Sequence, residues 1–396
     1  NGRGEGHGAM TNTAVLTGER TATQSPPLKD MKALAFFGGG TGGHLFPGLA
    51  VAERTRERFP DCDIVFFRTR REVEEKVFSN SGFRTELLDI SPPVGGARAI
   101  VKYSLQSLRA ISAIRKALAR KYDAAIGLGG YASLPGIVAA RHVGLPVVLL
   151  EQNQVPGKVN RLAAPFVDLV TCPSPEVVDL FRGRREVTGN PVRGSVLRAA
   201  GRRRRFFAAG AFSTRKRKVF VVGGSQGAHG INQAVIGALK GLAEYREKIH
   251  WIHVAGDADK KEVEKAYLEQ GWEAEVENYL RDLPHLLSHG DLVITRAGGT
   301  IVAELAVLGV PAVFVPYPHH KDQHQMKNAE ALERAGGAIL VPEEDLGAET
   351  LRTIFKKILF EPGRLLEMED RALTLGRPDA ADAVLDLILE LKEKCQ

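Results

Sequence analysis

The sequence predicts an α/β fold made of two Rossmann-like domains whose parallel sheets face each other across a cleft. Short apolar runs of strand length alternate with helix-length segments, which is typical of βαβ units. This series occurs twice, and each copy carries two glycine-rich loops. At 396 residues the chain also exceeds the length at which one core grows efficiently, which favours two domains.

The elements follow one another in a regular order. Residues 1–30 are polar and without periodicity, so we expect a disordered extension or cloning scar outside the fold. Buried strands are predicted at 31–37, 63–69, 124–130, 146–151 and 168–173, then from 218, at 249–256, from 292 and at 311–318. An amphipathic helix ends the chain.

Four glycine loops interrupt this pattern: "GGGTGGH" (38–44), "GLGGYAS" (127–133), "GGSQGA" (223–228) and "RAGGT" (296–300). Ligands of open α/β sheets bind beyond the carboxyl ends of the strands, so facing halves would place all four loops around one cleft. A helix that begins straight after a strand has unpaired N–H groups, which attract phosphate. A tight turn without a ligand is the alternative.

Two nucleotide classes can be tested against the loops. "GGGTGG" fits the dinucleotide pattern G-x-G-x-x-G, but NAD also needs an acid at the end of the second strand. That strand ends in Arg68, Thr69 and Arg70, which argues against NAD and leaves NADP as a weak alternative. Neither loop that follows a leading strand has the GK[ST] of a P-loop.

Composition and charge limit the remaining classes. No apolar run reaches the roughly 18 residues of a membrane span, so we expect a cytosolic protein. The three cysteines are far apart and outside any CxxC pattern, which argues against a disulfide framework or zinc site. The net charge is +7, and residues 90–122 hold seven basic residues without an acid. Such blocks favour anionic partners, although a solvated face is the alternative.

Seven motifs together carry a resemblance: "GGGTGGHLFPGLAVAE", "GLGGYASLPG", "EQNQVPGKVN", "GNPVR", "GGSQGA", "RAGGTIVAEL" and "HHKDQHQMKNA". In this order they resemble the MurG family of peptidoglycan N-acetylglucosaminyltransferases, within the GT-B superfamily. The resemblance implies transfer of GlcNAc from UDP-GlcNAc to the C4 hydroxyl of MurNAc in lipid I, undecaprenyl-pyrophosphoryl-MurNAc-pentapeptide. The product would be lipid II, formed with inversion at the cytoplasmic face of the inner membrane.

The donor side must stabilise the charge of departing UDP. "DAD" (257–259) formally matches a metal-binding DxD, but it leads into a helix, so we interpret it as a cap and predict no essential metal or cofactor. Ser225, with Gln226, Gly227 and nearby N–H groups, would donate to the diphosphate, and Arg193 is the predicted cation. A structural ion pair is the alternative role for Arg193.

Sugar contacts follow from the last two motifs. Glu304, placed near the first turn of a predicted helix, would accept both ribose hydroxyls by resemblance, with helix-dipole stabilisation as the alternative. His324 and Gln325 face the GlcNAc hydroxyls by resemblance. Some relatives have glutamine where this chain has His324, so its role is less certain.

The acceptor side requires a base. His44 is the candidate, because a helix N-terminus disfavours imidazolium and keeps the ring able to accept a proton. Loop ordering is its alternative role, and Glu151 is the rival base. The other acceptor-side candidates are Thr41, Gly42, Gly43, Tyr131, Asn153 and Asn160.

A tethered lipid acceptor implies contact with a membrane. The helix predicted from residue 97 carries apolar residues among basic ones, which suits an anionic interface: Ile100, Tyr103, Leu108, Ile111 and Ile114. Packing of this face on the sheet is the alternative. The basic stretch 202–218 could assist, although it departs from the family pattern.

We predict a domain on the acceptor and membrane side over 31–191, a UDP-sugar domain over 192–374, and a final helix, about 375–396, that packs back on the first. A UDP-GlcNAc 2-epimerase-like GT-B enzyme is the alternative enzyme. A nucleic-acid-binding protein is the alternative without catalysis. The paired glycine loops and the lack of an aromatic stacking platform argue against nucleic acid as a partner.

Overall fold

The computed structural model describes residues 30–394 except 41, 80, 120–121, 209–214, 225–226, 281 and 320–321, and for 204–208 it describes the backbone only. Seven parallel strands form the first sheet, in the order β3-β2-β1-β4-β5-β6-β7. They are β1 Ala33–Phe37, β2 Asp63–Arg68, β3 Arg84–Leu87, β4 Ala124–Gly127, β5 Val147–Leu150, β6 Leu169–Cys172 and β7 Arg185–Val187.

Six parallel strands form the second sheet, in the order β10-β9-β8-β11-β12-β13. They are β8 Arg217–Val222, β9 Ile249–Val254, β10 Ala274–Glu277, β11 Leu292–Thr295, β12 Ala312–Phe314 and β13 Ala338–Leu340. Counted from its own first strand, each sheet has the order 3-2-1-4-5-6 of dinucleotide-binding folds, and the first sheet adds a seventh strand beside the sixth. The predicted pair of parallel sheets is confirmed. We call the parts built on them the first and the second lobe.

Helices cover both faces of each sheet. In the first lobe and the connection they are α1 Gly42–Arg58, α2 Glu72–Phe78, α3 Ala97–Leu118, α4 Ser133–His142, α5 Lys158–Ala163, α6 Pro175–Val178 and α7 Gly194–Ala208. The others are α8 His229–Ala238, α9 Lys260–Glu269, α10 Leu283–Leu287, α11 Gly299–Leu308, α12 His324–Arg334, α13 Ala348–Ile354, α14 Arg364–Leu373 and α15 Ala380–Lys394. Short 3₁₀ or π turns lie at Ala164–Phe166, Leu239–Lys248, Glu343–Asp345 and Phe355–Leu359.

Burial explains which strands the sequence predicts. The central strands β1, β4, β5, β6, β11 and β12 are buried at every position, because helices cover both sheet faces. The strands β3, β7, β10 and β13 lie at or beside the sheet edges and are partly exposed. The sequences of β3, β7 and β10 lack a continuous apolar run, and β13 has only three residues. The sequence pattern did not predict these four strands.

Helix α15 returns to the first lobe after the second lobe is complete. Its residues Val384, Leu385 and Ile388 are buried in one cluster with Leu34 and Phe36 of β1. Arg54 and Arg58 of α1 both pair with Asp382 of α15, at 2.7 and 3.3 Å. The chain therefore crosses between the lobes twice. No helix that the structure describes has both the length and the apolar character to cross a membrane.

The topology brings the four glycine loops together in pairs, one pair in each lobe. The loops 38–44 and 127–133 follow β1 and β4, and the loops 223–228 and 296–300 follow β8 and β11. Each pair of strands is adjacent in its sheet, at the point where the strand order reverses. This is where open α/β sheets bind their ligands.

Candidate active site

The first glycine loop is held in place by a buried acid. Glu74 of α2 is fully buried, and its carboxylate accepts hydrogen bonds from the Gly40 backbone N–H at 2.6 Å and from the N–H and hydroxyl of Thr69 at 2.6 and 2.9 Å. Arg71 donates to the Gly40 carbonyl at 2.8 Å. Charged side chains thus fix the described residues of the loop before any ligand binds.

His44 lies at the start of α1, one residue after Gly43. Its ring is half-buried, and Nδ1 lies 2.9 Å from Oε1 of Gln152. The Gly43 carbonyl accepts a hydrogen bond from the Thr300 hydroxyl of α11 at 2.8 Å, so the second lobe touches the residue before His44. Gly42 is buried at the start of α1, and Thr41 lies outside the described residues.

Glu151, the rival base, is occupied by its own loop. It is 3% exposed, and its Oε1 accepts from the backbone N–H groups of Gln152 and Asn153, both at 2.9 Å. Its Oε2 accepts from Asn160 Nδ2 at 2.8 Å and from the Gly157 N–H at 3.2 Å. A carboxylate whose two oxygens each hold two donors is poorly placed to take a proton from a hydroxyl. The geometry indicates a loop-ordering role.

The remaining acceptor-side candidates surround these two residues. Asn160 is buried and also donates to the Leu150 carbonyl at 3.2 Å, so it orders the same loop. Asn153 is part-buried and meets the second lobe through Asn328. Tyr131 is half-buried, and its carbonyl accepts from the Tyr103 hydroxyl at 2.7 Å.

Arg193 and Glu304 form an ion pair across the chain crossing. Oε1 of Glu304 accepts from Arg193 Nε at 3.1 Å and Nη2 at 2.8 Å, and the guanidinium carbon lies 3.9 Å from the centre of the Phe46 ring. The structural pairing that the sequence left as an alternative is therefore present. Glu304 lies in the second turn of α11, not the first, and its Oε2 forms no hydrogen bond with the residues that the structure describes.

The glycine loop of the second lobe begins directly after β8. Gly227 has φ +76°, and a Cβ there would lie 2.7 Å from the Ala255 carbonyl oxygen, so only glycine fits. The same carbonyl accepts from Asn232 Nδ2 at 2.9 Å. The predicted ligands Ser225 and Gln226 lie outside the described residues.

A polar network supports this loop from behind. Asn232 also donates to Asp259 at 2.8 Å, and its Oδ1 lies 2.9 Å from Nε2 of His253. Burial lowers the pKa of His253 to about 3, so the ring is neutral. Burial opposes the charge on Asp259, but hydrogen bonds from Asn232 and His229 hold its pKa below its usual range.

The interpretation of "DAD" as a helix cap is wrong. Asp259 occupies the N-cap position of α9, yet its side chain makes no capping hydrogen bond. It binds Asn232 and His229 instead, because these donors lie closer to the loop it supports. Asp257 accepts from Asn278. Among the described residues, no group of three or more His, Cys, Asp or Glu side chains could hold a metal ion.

The start of α12 carries the predicted sugar contacts. Oε1 of Gln325 accepts from the backbone N–H groups of Tyr317 and Ala297, at 3.0 and 3.3 Å, which leaves its Nε2 without a hydrogen bond to any described residue. Nδ1 of His324 lies 2.7 Å from Asp322. The amide of Gln325 is thus pre-oriented by the backbone.

The chain is similar to known glycosyltransferases in both sequence and structure. Residues 34–172 match the glycosyltransferase family 28 N-terminal domain, and residues 218–384 match its C-terminal domain. The UDP-N-acetylglucosamine--N-acetylmuramyl-(pentapeptide) pyrophosphoryl-undecaprenol N-acetylglucosamine transferase of Anaeromyxobacter sp. (strain Fw109-5) is 38% identical over 358 residues, 89% of this chain and 92% of the relative. The crystal structure of Acinetobacter baumannii MurG has a TM-score of 0.69 at 28% identity, covering 91% of this chain and 99% of that one.

The chain belongs to the MurG family. The resemblance predicted from seven motifs is confirmed, and the chain is a hexosyltransferase with the GT-B fold. The UDP-GlcNAc 2-epimerase of Neisseria meningitidis, bound to UDP-GlcNAc, aligns with a TM-score of 0.64 and 15% identity, over 91% of this chain and all of that one. A likeness at that identity shows the shared fold alone.

The sequence offered Asn328 beside His324 and Gln325 for sugar recognition, but it missed the contacts by which this residue holds the MurG-family site together. Asn328 is buried between the lobes: its Oδ1 accepts from the Gln154 N–H at 2.8 Å, and its Nδ2 donates to Asn153 at 3.1 Å and to the Ala297 carbonyl at 3.0 Å. Glu74 and Gln152 were also missed. Asn328 lies on the "HQMKN" motif, four residues after His324, so helical spacing could have placed it on the same face.

Three arginines of the basic stretch 202–218 form ion pairs within the protein. Arg203 is buried and pairs with Glu369 at 3.1 Å, and Arg215 and Arg217 both pair with Asp291, at 2.7 and 3.4 Å. Burial raises the pKa of Glu369. Arg203 therefore fastens α7 to α14, and Arg215 and Arg217 hold the start of β8 against the start of β11. The charge pattern alone did not predict this role.

Helix α3 divides its apolar residues between the core and solvent. Ile114 is buried under the first sheet, while Tyr103 and Ile111 are partly buried. The N-terminal half is different: Ile100, Val101, Leu105 and Leu108 are each more than half exposed. The C-terminal half of α3 thus packs on the sheet, and the N-terminal half is exposed as a membrane-facing helix would be. Each of the two alternatives from the sequence describes one half of the helix.

Proposed function

We propose that this protein transfers GlcNAc from UDP-GlcNAc to the C4 hydroxyl of MurNAc in lipid I, which gives lipid II for peptidoglycan synthesis. The 38% identity to a named transferase over nearly its whole length is the observation that carries the proposal. Four glycine loops at the two switch points of the sheets support it, because open α/β sheets bind their ligands at such points.

The second lobe holds the donor in this proposal. The loop 223–228, with Ser225, Gln226 and Gly227, binds the diphosphate through backbone and hydroxyl donors, and Arg193 adds a positive charge. Oε2 of Glu304 accepts the ribose hydroxyls, while Oε1 keeps its bonds to Arg193. The free amide of Gln325 donates to GlcNAc, and His324 lies beside it.

The first lobe holds the acceptor. His44 takes the proton of the C4 hydroxyl as its oxygen attacks C1 of GlcNAc, opposite the departing UDP. The C1–O bond to the β-phosphate breaks, its electron pair leaves with UDP, and the anomeric carbon inverts. Glu151 with Asn160 orders the loop next to the base, and this loop carries Asn153. Thr41, Gly42, Gly43 and Tyr131 complete the acceptor side.

The exposed part of α3 faces an anionic membrane in this proposal. Its four exposed apolar residues lie among Arg98, Lys102 and Arg109, which are also exposed, and Val94 just before the helix is 78% exposed. Apolar insertion and basic side chains near anionic lipid each contribute, at about 1 kcal/mol per basic residue. The protein would thus be peripheral at the cytoplasmic face of the inner membrane, beside its lipid-linked acceptor.

Vesicle binding tests the membrane proposal. L105S with L108S should reduce co-sedimentation with vesicles of anionic phosphatidylglycerol by at least tenfold, and neutral phosphatidylcholine should bind the wild type weakly. L268S is the matched control, because Leu268 is 81% exposed on the second lobe. Equal binding by the two variants would remove α3 as the membrane face.

Product analysis tests the function itself. With UDP-GlcNAc and a lipid I analogue, we expect release of UDP and formation of the disaccharide product. Formation of the C2 epimer of UDP-GlcNAc without an acceptor would identify an epimerase instead. UDP-GlcNAc should raise the unfolding temperature, whereas stabilisation by only NADPH or single-stranded DNA would overturn the proposal.

We also propose that the functional units are 31–191 for the acceptor, 192–374 for the donor, and 375–396 as a helix of the acceptor unit. The first sheet ends at Val187 and the second begins at Arg217, which supports a boundary between them. The buried residues of α15 belong to the core of the first lobe, which supports assigning this helix to the acceptor unit.

A further inference from the structure

The buried amide of Gln152 connects the candidate base to the backbone of the first lobe. Gln152 is 3% exposed, and its Nε2 donates to the carbonyl oxygens of Leu128 and Leu150, both at 3.0 Å. Its Oε1 lies 2.9 Å from Nδ1 of His44. Leu128 follows β4 and Leu150 ends β5, so the amide bridges the carboxyl ends of two adjacent strands, beside the switch point between β1 and β4.

The partners decide how this amide is oriented. A backbone carbonyl can only accept, so the NH₂ group of Gln152 must face Leu128 and Leu150. The reverse orientation would place an oxygen against two carbonyl oxygens and lose both bonds. The atom that faces His44 is therefore an oxygen, which also only accepts. It follows that Nδ1 of His44 carries a hydrogen.

This hydrogen leaves the other ring nitrogen bare. A neutral imidazole has one N–H, so an Nδ1–H ring has a lone pair on Nε2. Among the residues that the structure describes, none forms a hydrogen bond with Nε2 of His44. The ring is also confined, because a Cβ on Gly129 would lie 3.1 Å from Nδ1.

We propose that Gln152 is a positioning residue that holds His44 as the Nδ1–H tautomer, with Nε2 free to accept the proton of the acceptor hydroxyl. The inference rests on the proposed function of His44 as the base. In the transfer step the proton moves from the hydroxyl to Nε2, the new C1–O bond forms, and UDP leaves with the electron pair of the old one. The imidazolium then keeps its Nδ1–H bond to Gln152 and returns the Nε2 proton to water.

Gln152 also meets the second lobe. A Cβ on Gly299 would lie 2.2 Å from the Gln152 carbonyl oxygen, so the start of α11 packs directly on this residue. Thr300, the next residue, donates to Gly43 beside His44. One residue thus sets the tautomer of the base through its side chain and contacts the helix of Glu304 through its backbone.

Nitrogen NMR tests the tautomer directly in the intact protein. With ¹⁵N-labelled histidine, and with H44Q to assign the signal, wild-type His44 should show a protonated Nδ1 and a bare Nε2. In Q152M, which has a similar length but no acceptor, the signal should shift towards the Nε2–H form. Q152E keeps an acceptor oxygen and should retain Nδ1–H. A wild-type ring protonated on Nε2, or an unchanged tautomer in Q152M, would overturn the inference.

Kinetics give a second readout that a purely structural residue would not move. Q152M should lower kcat by tenfold or more and leave the KM for UDP-GlcNAc within about twofold. In Q152E a carboxyl oxygen faces the Leu128 and Leu150 carbonyls, so the group should hold a proton there and still present an acceptor oxygen to His44. Its kcat should therefore exceed that of Q152M, and a folded Q152E no more active than Q152M would contradict the inference. An absence of UDP release by wild type, with the tautomer as expected, would instead contradict the proposed function alone.

Discussion

The loops 38–43 and 223–228 hold equivalent positions in the two sheets, yet the groups behind them differ. In each lobe an acid after the second strand supports the loop. Glu74 after β2 binds the Gly40 N–H directly, whereas Asp259 after β9 touches no described backbone group of its loop and binds Asn232 and His229. The first loop thus already has a negative partner, whereas no described residue of the second loop binds an acid.

This difference indicates how two loops in the same fold can suit different ligands. A loop that already holds a carboxylate is suited to a neutral hydroxyl, while a loop without one is suited to a diphosphate at a helix N-terminus. The reach of a single acid distinguishes the two loops, although the first six strands have the same order in both lobes.

The largest effect should come from the base on the first loop. H44A should lower kcat by about 10²–10⁴-fold, the usual contribution of a general base, with the affinity for UDP-GlcNAc nearly unchanged. A UDP-release assay and calorimetry with the donor measure the two quantities. H142A, an exposed histidine on α4, is the matched control. Unchanged turnover would remove His44 as the base and break the division of roles between the loops.

The acid behind the first loop should matter next. E74L leaves the Gly40 and Thr69 donors unsatisfied, so we expect a loss of about 3 kcal/mol in the free energy of unfolding. Urea denaturation measures it, with E72Q, at an 82% exposed side chain, as the control. D259L should cost less, because Asp259 contacts no described loop backbone. If E74L and D259L lost the same free energy of unfolding, the two acids would not differ in how they support their loops.

Donor binding should depend on the second lobe. E304A removes the proposed ribose acceptor and leaves Arg193 unpaired, so the Kd for UDP-GlcNAc should rise roughly thirtyfold, which corresponds to two hydrogen bonds of about 1 kcal/mol each. E304Q should recover part of the affinity. If E304A bound the donor like wild type, Glu304 would have no ribose role.

The smallest effect should be a pH dependence of the free energy of unfolding that comes from His253, behind the second loop. The unfolded chain protonates His253 near pH 6.5, but the folded chain does so only near pH 3, so this contribution is complete above pH 6.5 and declines as the pH falls. Between pH 7.5 and 5.5 the free energy of unfolding should fall by about 1 kcal/mol more in wild type than in H253Q. Parallel pH curves from chemical denaturation would contradict this.

Sequence patterns predicted the central strands and the four loops because both depend on local residue types. Continuous apolar runs mark strands covered on two faces, and glycines mark close approaches at the strand ends. The edge strand β10 escaped prediction because its alternate residues face solvent. Recognition of the family rested on motifs that are each one contiguous stretch of the chain, and the 38% identity to a named transferase confirms it.

Contacts between distant segments could not be predicted in this way. Gln152 is 108 residues from His44, and Asn328 is 174 residues from Gln154, so no local pattern joins them. Glu74 was missed because an acid on a short helix is normally exposed, and only the packed structure shows it fully buried. The roles assigned to the site residues stay predictions until the variants are measured.

The two chain crossings lie side by side, since a Cβ on Gly189 would sit 2.7 Å from the Cβ of Arg377. One connecting segment would let a lobe rotate in any direction, whereas two adjacent connecting segments restrict the rotation to one axis. We therefore expect the lobes to move about a single hinge axis. Each closure about this axis would re-form the same hydrogen bonds, Thr300 to Gly43 and Gln154 to Asn328, without any other alignment of the lobes between turnovers.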